Sequence, residues 1–149
     1  MANVLLVDDD GNVRLTLEIA LRRRGHNVVV ASDARQALLQ LNNHHFAFLI
    51  SDVCMPGMNG FELARWVRRL PNPPRIILTS AYSNLETQDD IIEALLPKPI
   101  DIARLHALLC SEPAALVDDK NGHSIGHANG YAEEARPSVE APPLLRVAM

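Results

Sequence analysis

The chain has 149 residues, of which 48% are hydrophobic, and a formal net charge of −4. This length allows one good core, so one domain is expected, and the acidic balance argues against a surface for non-specific nucleic-acid binding. The two cysteines, Cys54 and Cys110, are far apart and do not indicate a disulfide framework. No CxxC motif or Cys/His spacing suggests a zinc site. Because the sequence shows neither a basic signal region nor an apolar run of membrane-span length, we expect a soluble, cytoplasmic chain.

Short apolar runs alternate with amphipathic segments along the first 110 residues. The runs predict buried strands, and apolar residues at helical spacing predict the helices between them. The predicted strands cover residues 4–7, 28–31, 46–50, 75–79 and 95–96. The helices predicted after them cover residues 13–24, 34–41, 61–70, 84–95 and 102–109. The pattern is weakest over 84–95.

Five strand–helix repeats indicate an α/β fold of the doubly wound, flavodoxin-like type, with a five-stranded parallel sheet and helices on both faces. The strands of such a sheet end at the same edge, which is where open α/β sheets place ligands. That edge collects polar side chains from four strand ends: Asp8, Asp9, Asp10, Asp52, Thr79, Ser80 and Lys98. Asp10 is better placed to cap the first helix than to bind metal.

The composition changes near residue 111. Residues 111–149 carry three basic and six acidic side chains, are rich in Gly, Ala, Pro and Asn, and show no sustained period. We interpret them as a low-complexity, mostly disordered tail that follows a domain of residues 1–110.

The polar edge has the composition of a phosphoryl-transfer site. Clustered carboxylates repel each other, and a hard divalent cation such as Mg²⁺ is the usual remedy. A lysine and a hydroxyl can pair with phosphoryl oxygens, and an aspartate facing them can act as nucleophile and form an acyl phosphate.

Three motifs resemble those of the receiver domain of two-component response regulators. They are residues 4–10 (Val-Leu-Leu-Val-Asp-Asp-Asp), residues 51–60 (Ser-Asp-Val-Cys-Met-Pro-Gly-Met-Asn-Gly) and Lys98-Pro99. They occur in the family's order, and the match covers residues 2 to about 110. The chain resembles the stand-alone type, with no DNA-binding output domain.

The resemblance implies a role for each matching residue. Asp52 would accept a phosphoryl group from a kinase phosphohistidine, and Asp8, Asp9, Asp52 and the backbone carbonyl of Cys54 would hold Mg²⁺. Lys98 would pair with the phosphoryl oxygens, and Pro99 would follow a cis peptide bond. The implied partners are a sensor histidine kinase or a histidine phosphotransferase and an unknown downstream protein, with no nucleic acid or membrane. A phosphorylation-dependent dimer is compatible with this role.

The switch hydroxyl is left open between two neighbours. Ser80-Ala-Tyr matches the family's Thr/Ser-Ala/Gly-Tyr pattern, which favours Ser80 over Thr79. The stretch from Tyr82 to Lys98 looks shorter than in the family, and Leu95 stands where an aromatic residue is usual. We therefore expect the helix predicted over residues 84–95, and the output surface, to depart most from the family.

Two alternatives accompany this interpretation. Asp8-Asp9-Asp10-Gly11 also resembles the Asp-x-Asp-Gly motif of haloacid-dehalogenase-like phosphatases, with Asp8 as nucleophile and Asp10 as acid/base. A degenerate receiver that only binds proteins is the other. As a receiver, the chain would not be an enzyme beyond catalysing its own phosphorylation and dephosphorylation at Asp52.

Overall fold

The structure, a computed structural model, describes residues 1–82, 87 and 89–112. Most of the tail predicted to be disordered lies outside these residues. The described residues form five strands: β1 (Asn3–Val7), β2 (Asn27–Ala31), β3 (Phe48–Asp52), β4 (Arg75–Ser80) and β5 (Ile92–Pro97). The described helices are α1 (Gly11–Arg23), α2 (Ala34–Asn43), α3 (Gly60–Val67) and α4 (Ile102–Leu109). None of these helices has the length and apolarity to cross a membrane.

The five strands form one sheet in the order β2-β1-β3-β4-β5, and every pair is parallel. The first strand, β1, lies second in the sheet, and the chain winds to the near edge through β2 and then crosses to the other side through β3. This reversal places β1 and β3 side by side at the topological switch point, where α/β folds bind ligands. The predicted doubly wound parallel fold is confirmed.

Alternating side chains send two apolar layers to opposite faces of the sheet. On one face α2 and α3 pack on a cluster that includes Leu5, Leu49 and Leu78. On the other face α1 and α4 pack on a cluster that includes Leu6, Ile50 and Ile77. We call these the α2/α3 face and the α1/α4 face. Because both faces are covered, β3 is buried along its whole length.

Aspartate side chains cap three of the described helices. The carboxylate of Asp10 accepts hydrogen bonds from the backbone N–H groups of Asn12 and Val13 at the start of α1. Asp33 and Asp101 cap α2 and α4 in the same way. Gly25 follows α1 with a φ of 92°, a conformation that favours glycine over other residues.

The prediction of a helix over residues 84–95 is wrong at its C-terminal end. Residues 92–95 belong to β5, which pairs with β4 from Ile92 to Pro97, so the strand is longer than the predicted 95–96. Residues 83–86 and 88 lie outside the described part of the chain. Burial of Ile92 and Leu96 against the sheet and the β4 ladder outweigh a weak local helical pattern.

The turn after β3 depends on a close backbone approach at Gly60, the first residue of α3. Its N–H donates to the carbonyl of Val53 at 2.8 Å, and Asn59 and Glu62 form a capping box beside it. A Cβ on Gly60 would overlap the carbonyl oxygen of Asp52 and lie 2.9 Å from the Cα of Val53. Only glycine lets α3 begin this close to the end of β3.

We therefore expect Gly60→Ala to lower the free energy of unfolding by about 1–3 kcal/mol, because backbone atoms must move to admit the methyl group. Urea denaturation measures this loss. Gly11→Ala is the matched control, since its Cβ would meet the nearest atom, a nitrogen of Arg14, at 3.6 Å. Equal midpoints for Gly60→Ala and the unaltered chain would contradict the close-approach argument.

Candidate functional site

Three carboxylates meet where β1 and β3 end. Asp8 follows β1 and is 1% exposed, Asp52 ends β3 and is 6% exposed, and Asp9 is exposed to solvent. Each contributes an oxygen to a group whose members all lie within 4.8 Å of one another. The adjacency of β1 and β3, which only the sheet order provides, brings together residues that are 44 positions apart.

The ammonium of Lys98 bridges the two buried carboxylates. Its Nζ lies 3.0 Å from Oδ2 of Asp8 and 3.3 Å from Oδ2 of Asp52. Lys98 follows β5, its backbone N–H donates to the carbonyl of Ser80, and its peptide bond to Pro99 is cis. The lysine thus reaches across the end of β4 to the centre of the site.

Backbone N–H groups hold both carboxylates in place. The N–H of Asp10 donates to Oδ1 of Asp8 at 2.9 Å, and the N–H of Cys54 lies 3.4 Å from Oδ1 of Asp52. Sequence reasoning missed Arg14, whose Nη1 donates to the backbone carbonyl of Asp8 at 2.7 Å. Its position four residues after the Asp10 cap, one turn into α1, was the available signal.

The charges of the site shift two pKa values. Burial raises the pKa of Asp52, the Lys98 ammonium acts in the opposite direction, and the Asp8 carboxylate raises it further. Burial alone would lower the pKa of Lys98, but the hydrogen bond and charge of Asp8 and the charge of Asp52 outweigh it and raise the pKa. Lys98 is therefore a stable ammonium group, whereas the ionised form of Asp52 is disfavoured.

Thr79 and Ser80 end β4, and both are 1% exposed. Thr79 pairs in register with Asp52, and strand alternation places its side chain on the same face of the sheet, the α1/α4 face. Ser80 is one residue further on, and its Oγ accepts a hydrogen bond from the N–H of Tyr82 at 3.0 Å. Both hydroxyl positions border the site, so the preference for Ser80 stays a prediction.

The donor set fits a hard divalent cation. Mg²⁺ favours carboxylate oxygens and waters as ligands, and the site offers three converging carboxylates, of which Asp9 is open to solvent. Asp10 is engaged differently, because its carboxylate caps α1. The structure therefore brings the three predicted aspartates together, while their role as metal ligands and the part of the Cys54 carbonyl stay predictions.

Comparison with known protein families decides the family. The model of the response regulator receiver domain matches residues 4–110. The chain belongs to the response regulator receiver domain family. This confirms the resemblance drawn from residues 4–10, residues 51–60 and Lys98-Pro99, and it makes the chain a two-component signalling module. Neither the family nor the capping role of Asp10 supports the phosphatase alternative.

Individual relatives agree with this assignment. The response regulator ArlR of Staphylococcus aureus is 30% identical over 132 residues, which cover 84% of this chain and 60% of ArlR. This receiver chain thus spans about three fifths of the length of the curated relatives it matches.

Solved structures show the same fold. The chemotaxis response regulator CheY4 of Vibrio cholerae is 31% identical, with a TM-score of 0.67 over 73% of this chain and 96% of CheY4. The response regulator TrrA of Thermotoga maritima, solved in complex with Mg²⁺ and BeF, is 27% identical, with a TM-score of 0.67 over 72% of this chain and 96% of TrrA.

The raised pKa of Asp52 predicts how stability depends on pH. The folded state holds the Asp52 proton more tightly than the unfolded state, so stability falls as pH rises from about 4 through the folded pKa. In buffer without divalent cations, we expect Asp52→Asn to be more stable than the unaltered chain at neutral pH. The difference should shrink on acidification, and urea denaturation at several pH values measures it.

Asp101→Asn is the control, because Asp101 is an exposed helix cap and asparagine caps a helix about as well as aspartate. An Asp52→Asn variant that is less stable than the unaltered chain at neutral pH would show that the Lys98 ion pair outweighs burial and the repulsion of Asp8.

Proposed function

We propose that this receiver domain accepts a phosphoryl group on Asp52 from a phosphohistidine, in a Mg²⁺-dependent reaction, and that the phosphorylated state changes its binding to partner proteins. The observation that carries the proposal is the pairing of Lys98 with Asp8 and Asp52. A buried carboxylate at a strand end faces a lysine at 3.3 Å, beside two further carboxylates.

Asp52 is the nucleophile of this proposal. A carboxylate oxygen attacks phosphorus, the bond from phosphorus to the donor's imidazole nitrogen breaks, and the imidazole leaves with a proton from solvent. The product is an acyl phosphate on Asp52. The N–H of Cys54 holds one carboxylate oxygen, which fixes the orientation of the group that attacks.

Lys98 would change partners during the transfer. It is bound to Asp8 and Asp52 now, and the new phosphoryl oxygens offer its ammonium a stronger negative charge at the same place. Mg²⁺ bound by Asp8, Asp9 and Asp52 would neutralise charge on the phosphoryl oxygens. Arg14 would hold the Asp8 backbone in position for this arrangement.

The signal would leave the site through the end of β4. Ser80 accepts the N–H of Tyr82 through its hydroxyl and the N–H of Lys98 through its carbonyl. A hydroxyl that turns to a phosphoryl group on Asp52 would release the Tyr82 bond and change the start of the loop. Leu95 offers no aromatic ring on β5, so we propose that the change acts through the β4–β5 loop.

Family membership supports a phosphohistidine protein as the donor of the phosphoryl group. We propose a sensor histidine kinase or a histidine phosphotransferase as the donor and a protein as the downstream target. The chain's own chemistry is limited to moving the phosphoryl group onto and off Asp52.

A small phosphodonor tests the chemistry without knowledge of the kinase. We expect incubation with acetyl phosphate and Mg²⁺ to add one phosphoryl group per chain, detected by intact mass, and chelation of the metal to prevent it. The adduct should survive mild acid and be lost in base, as an acyl phosphate is. No adduct should form on Asp52→Asn.

Asp10→Asn is the matched control, because asparagine retains the helix cap and Asp10 has no part in the proposed transfer. Normal labelling of Asp52→Asn together with its loss in Asp8→Asn would move the nucleophile to Asp8. Failure of the unaltered chain to label would favour the protein-binding module that lacks phosphotransfer.

A pair of variants identifies the switch hydroxyl. We expect both Ser80→Ala and Thr79→Val to accept the phosphoryl group, because neither hydroxyl is the nucleophile. In Ser80→Ala, the amide NMR shift of Tyr82 should no longer respond to BeF₃⁻ with Mg²⁺. In Thr79→Val the response should remain. The reverse result would assign the switch to Thr79.

A further inference from the structure

A second group of metal-ligating side chains lies at the opposite edge of the sheet from Asp52. His26 precedes β2, His106 lies in the last turn of α4, and Cys110 follows that helix. Their ligand atoms all lie within 4.8 Å of one another. Because β2 and β3 are parallel, the amino ends of the strands face away from the carboxylate site, a separation of roughly 15 Å along strands of this length.

The three side chains are arranged as ligands commonly are. His106 and Cys110 are four residues apart, so they lie on one side of the helix end, as in helical metal-binding pairs. Nε2 of His26 is 2.8 Å from Nδ1 of His106, and Sγ of Cys110 is 3.9 Å from both ring nitrogens of His106. His26 is buried, His106 is half-buried and Cys110 is exposed, so an ion can enter from the Cys110 side.

We propose that His26, His106 and Cys110 form a binding site for a borderline-soft divalent transition metal such as Zn²⁺, with the fourth position open to water. Two imidazoles and a thiolate are the ligand types that such an ion prefers over Mg²⁺. A tetrahedral ion with Zn–N bonds of about 2.1 Å and Zn–S bonds of about 2.3 Å separates two nitrogens by about 3.4 Å and nitrogen from sulfur by about 3.6 Å. The observed separations require shifts of about half an ångström.

The hydrogen bonds at His26 define the proton balance of metal binding. The N–H of Ala2 donates to Nδ1 of His26 at 3.1 Å, so the neutral ring carries its proton on Nε2 and donates it to Nδ1 of His106. When an ion binds Nε2, this proton moves to Nδ1. The N–H of Ala2 can then no longer donate to Nδ1 and must move away. Nδ1 of His106 offers its lone pair directly. The thiol of Cys110 loses one proton, so one proton is released per metal ion.

His26 is suited to be a neutral ligand. Burial is the largest cause that lowers its pKa, followed by the neighbouring His106, the N-terminal amino group and Arg24. Ala2, whose N–H must leave Nδ1 of His26, follows the exposed Met1, so only the short segment before β1 must adjust. The metal would join the end of α4 to the corner between α1 and β2.

Sequence reasoning did not find this group because His26 is 80 positions from His106. The His106–Cys110 spacing alone matches no zinc motif, and only the packing of α4 beside α1 adds the third ligand.

Cobalt(II) is the probe for the test, because a cobalt–thiolate bond gives an intense near-ultraviolet charge-transfer band. The full chain is titrated under reducing conditions without oxygen. We expect one Co²⁺ per chain with this band, displacement of Co²⁺ by Zn²⁺, and release of one proton per ion. The NMR signal of the Ala2 amide should shift on binding of Zn²⁺.

Two variants on the accessible side of the group test whether these side chains bind the ion. Cys110→Ser should lose the band, and His106→Gln should weaken Co²⁺ binding at least about tenfold. Cys54→Ser is the matched control, an exposed cysteine at the other edge of the sheet, and should keep the band.

The contrary results are equally defined. An unaltered chain without the band, as would follow if His44, His45, His123 or His127 bound the ion alone, overturns the proposal. A band that survives Cys110→Ser or disappears in Cys54→Ser does the same. Phosphoryl transfer to Asp52 does not enter this test, so its outcome is independent of the proposed function.

Discussion

The bridge from Lys98 to Asp8 and Asp52 is the interaction on which the site depends. Two buried carboxylates at this separation repel each other, and unit charges about 4 Å apart interact by about 4 kcal/mol where the effective dielectric constant is about 20. The Lys98 ammonium between them offsets part of this repulsion. The same ammonium is then available to any anion that arrives at Asp52.

The sheet order explains why the bridge needs a long side chain. β3 and β5 are separated by β4, so the backbones at their ends lie two strand spacings, or about 10 Å, apart. The side chains of Lys98 and Asp52 extend toward each other and meet at 3.3 Å, and the cis peptide bond before Pro99 follows Lys98. The Lys98 side chain passes over the end of β4. The uncharged hydroxyl residues Thr79 and Ser80 therefore lie beside the ion pairs of Lys98 with Asp8 and Asp52.

The helix α4 connects the two edges of the molecule. It begins four residues after Lys98, next to the carboxylate site, and ends at His106 and Cys110, next to His26. The two groups offer different ligand atoms, and oxygen ligands suit Mg²⁺ whereas imidazole and thiolate suit transition metals. Strand polarity keeps them apart, since parallel strands present carboxyl ends at one edge and amino ends at the other.

By itself, the sequence determined the order of strands and helices, the parallel sheet and the polar edge that contains Asp8, Asp52 and Lys98. These features depend on local signals: buried apolar runs, helical periodicity, capping carboxylates and strand ends that all face one way. The helix caps at Asp10 and Asp101 were predictable for the same reason, because a cap acts on the residues next to it.

Tertiary structure alone decided features that depend on residues far apart in the chain. Pairing with β4 and burial of Ile92 turned residues 92–95 into a strand, against a weak helical pattern. Register placed Thr79 level with Asp52, and packing of α4 on α1 brought His106 to His26. Local propensity is worth only a fraction of a kcal/mol per residue, so strand pairing and burial prevail wherever the two conflict.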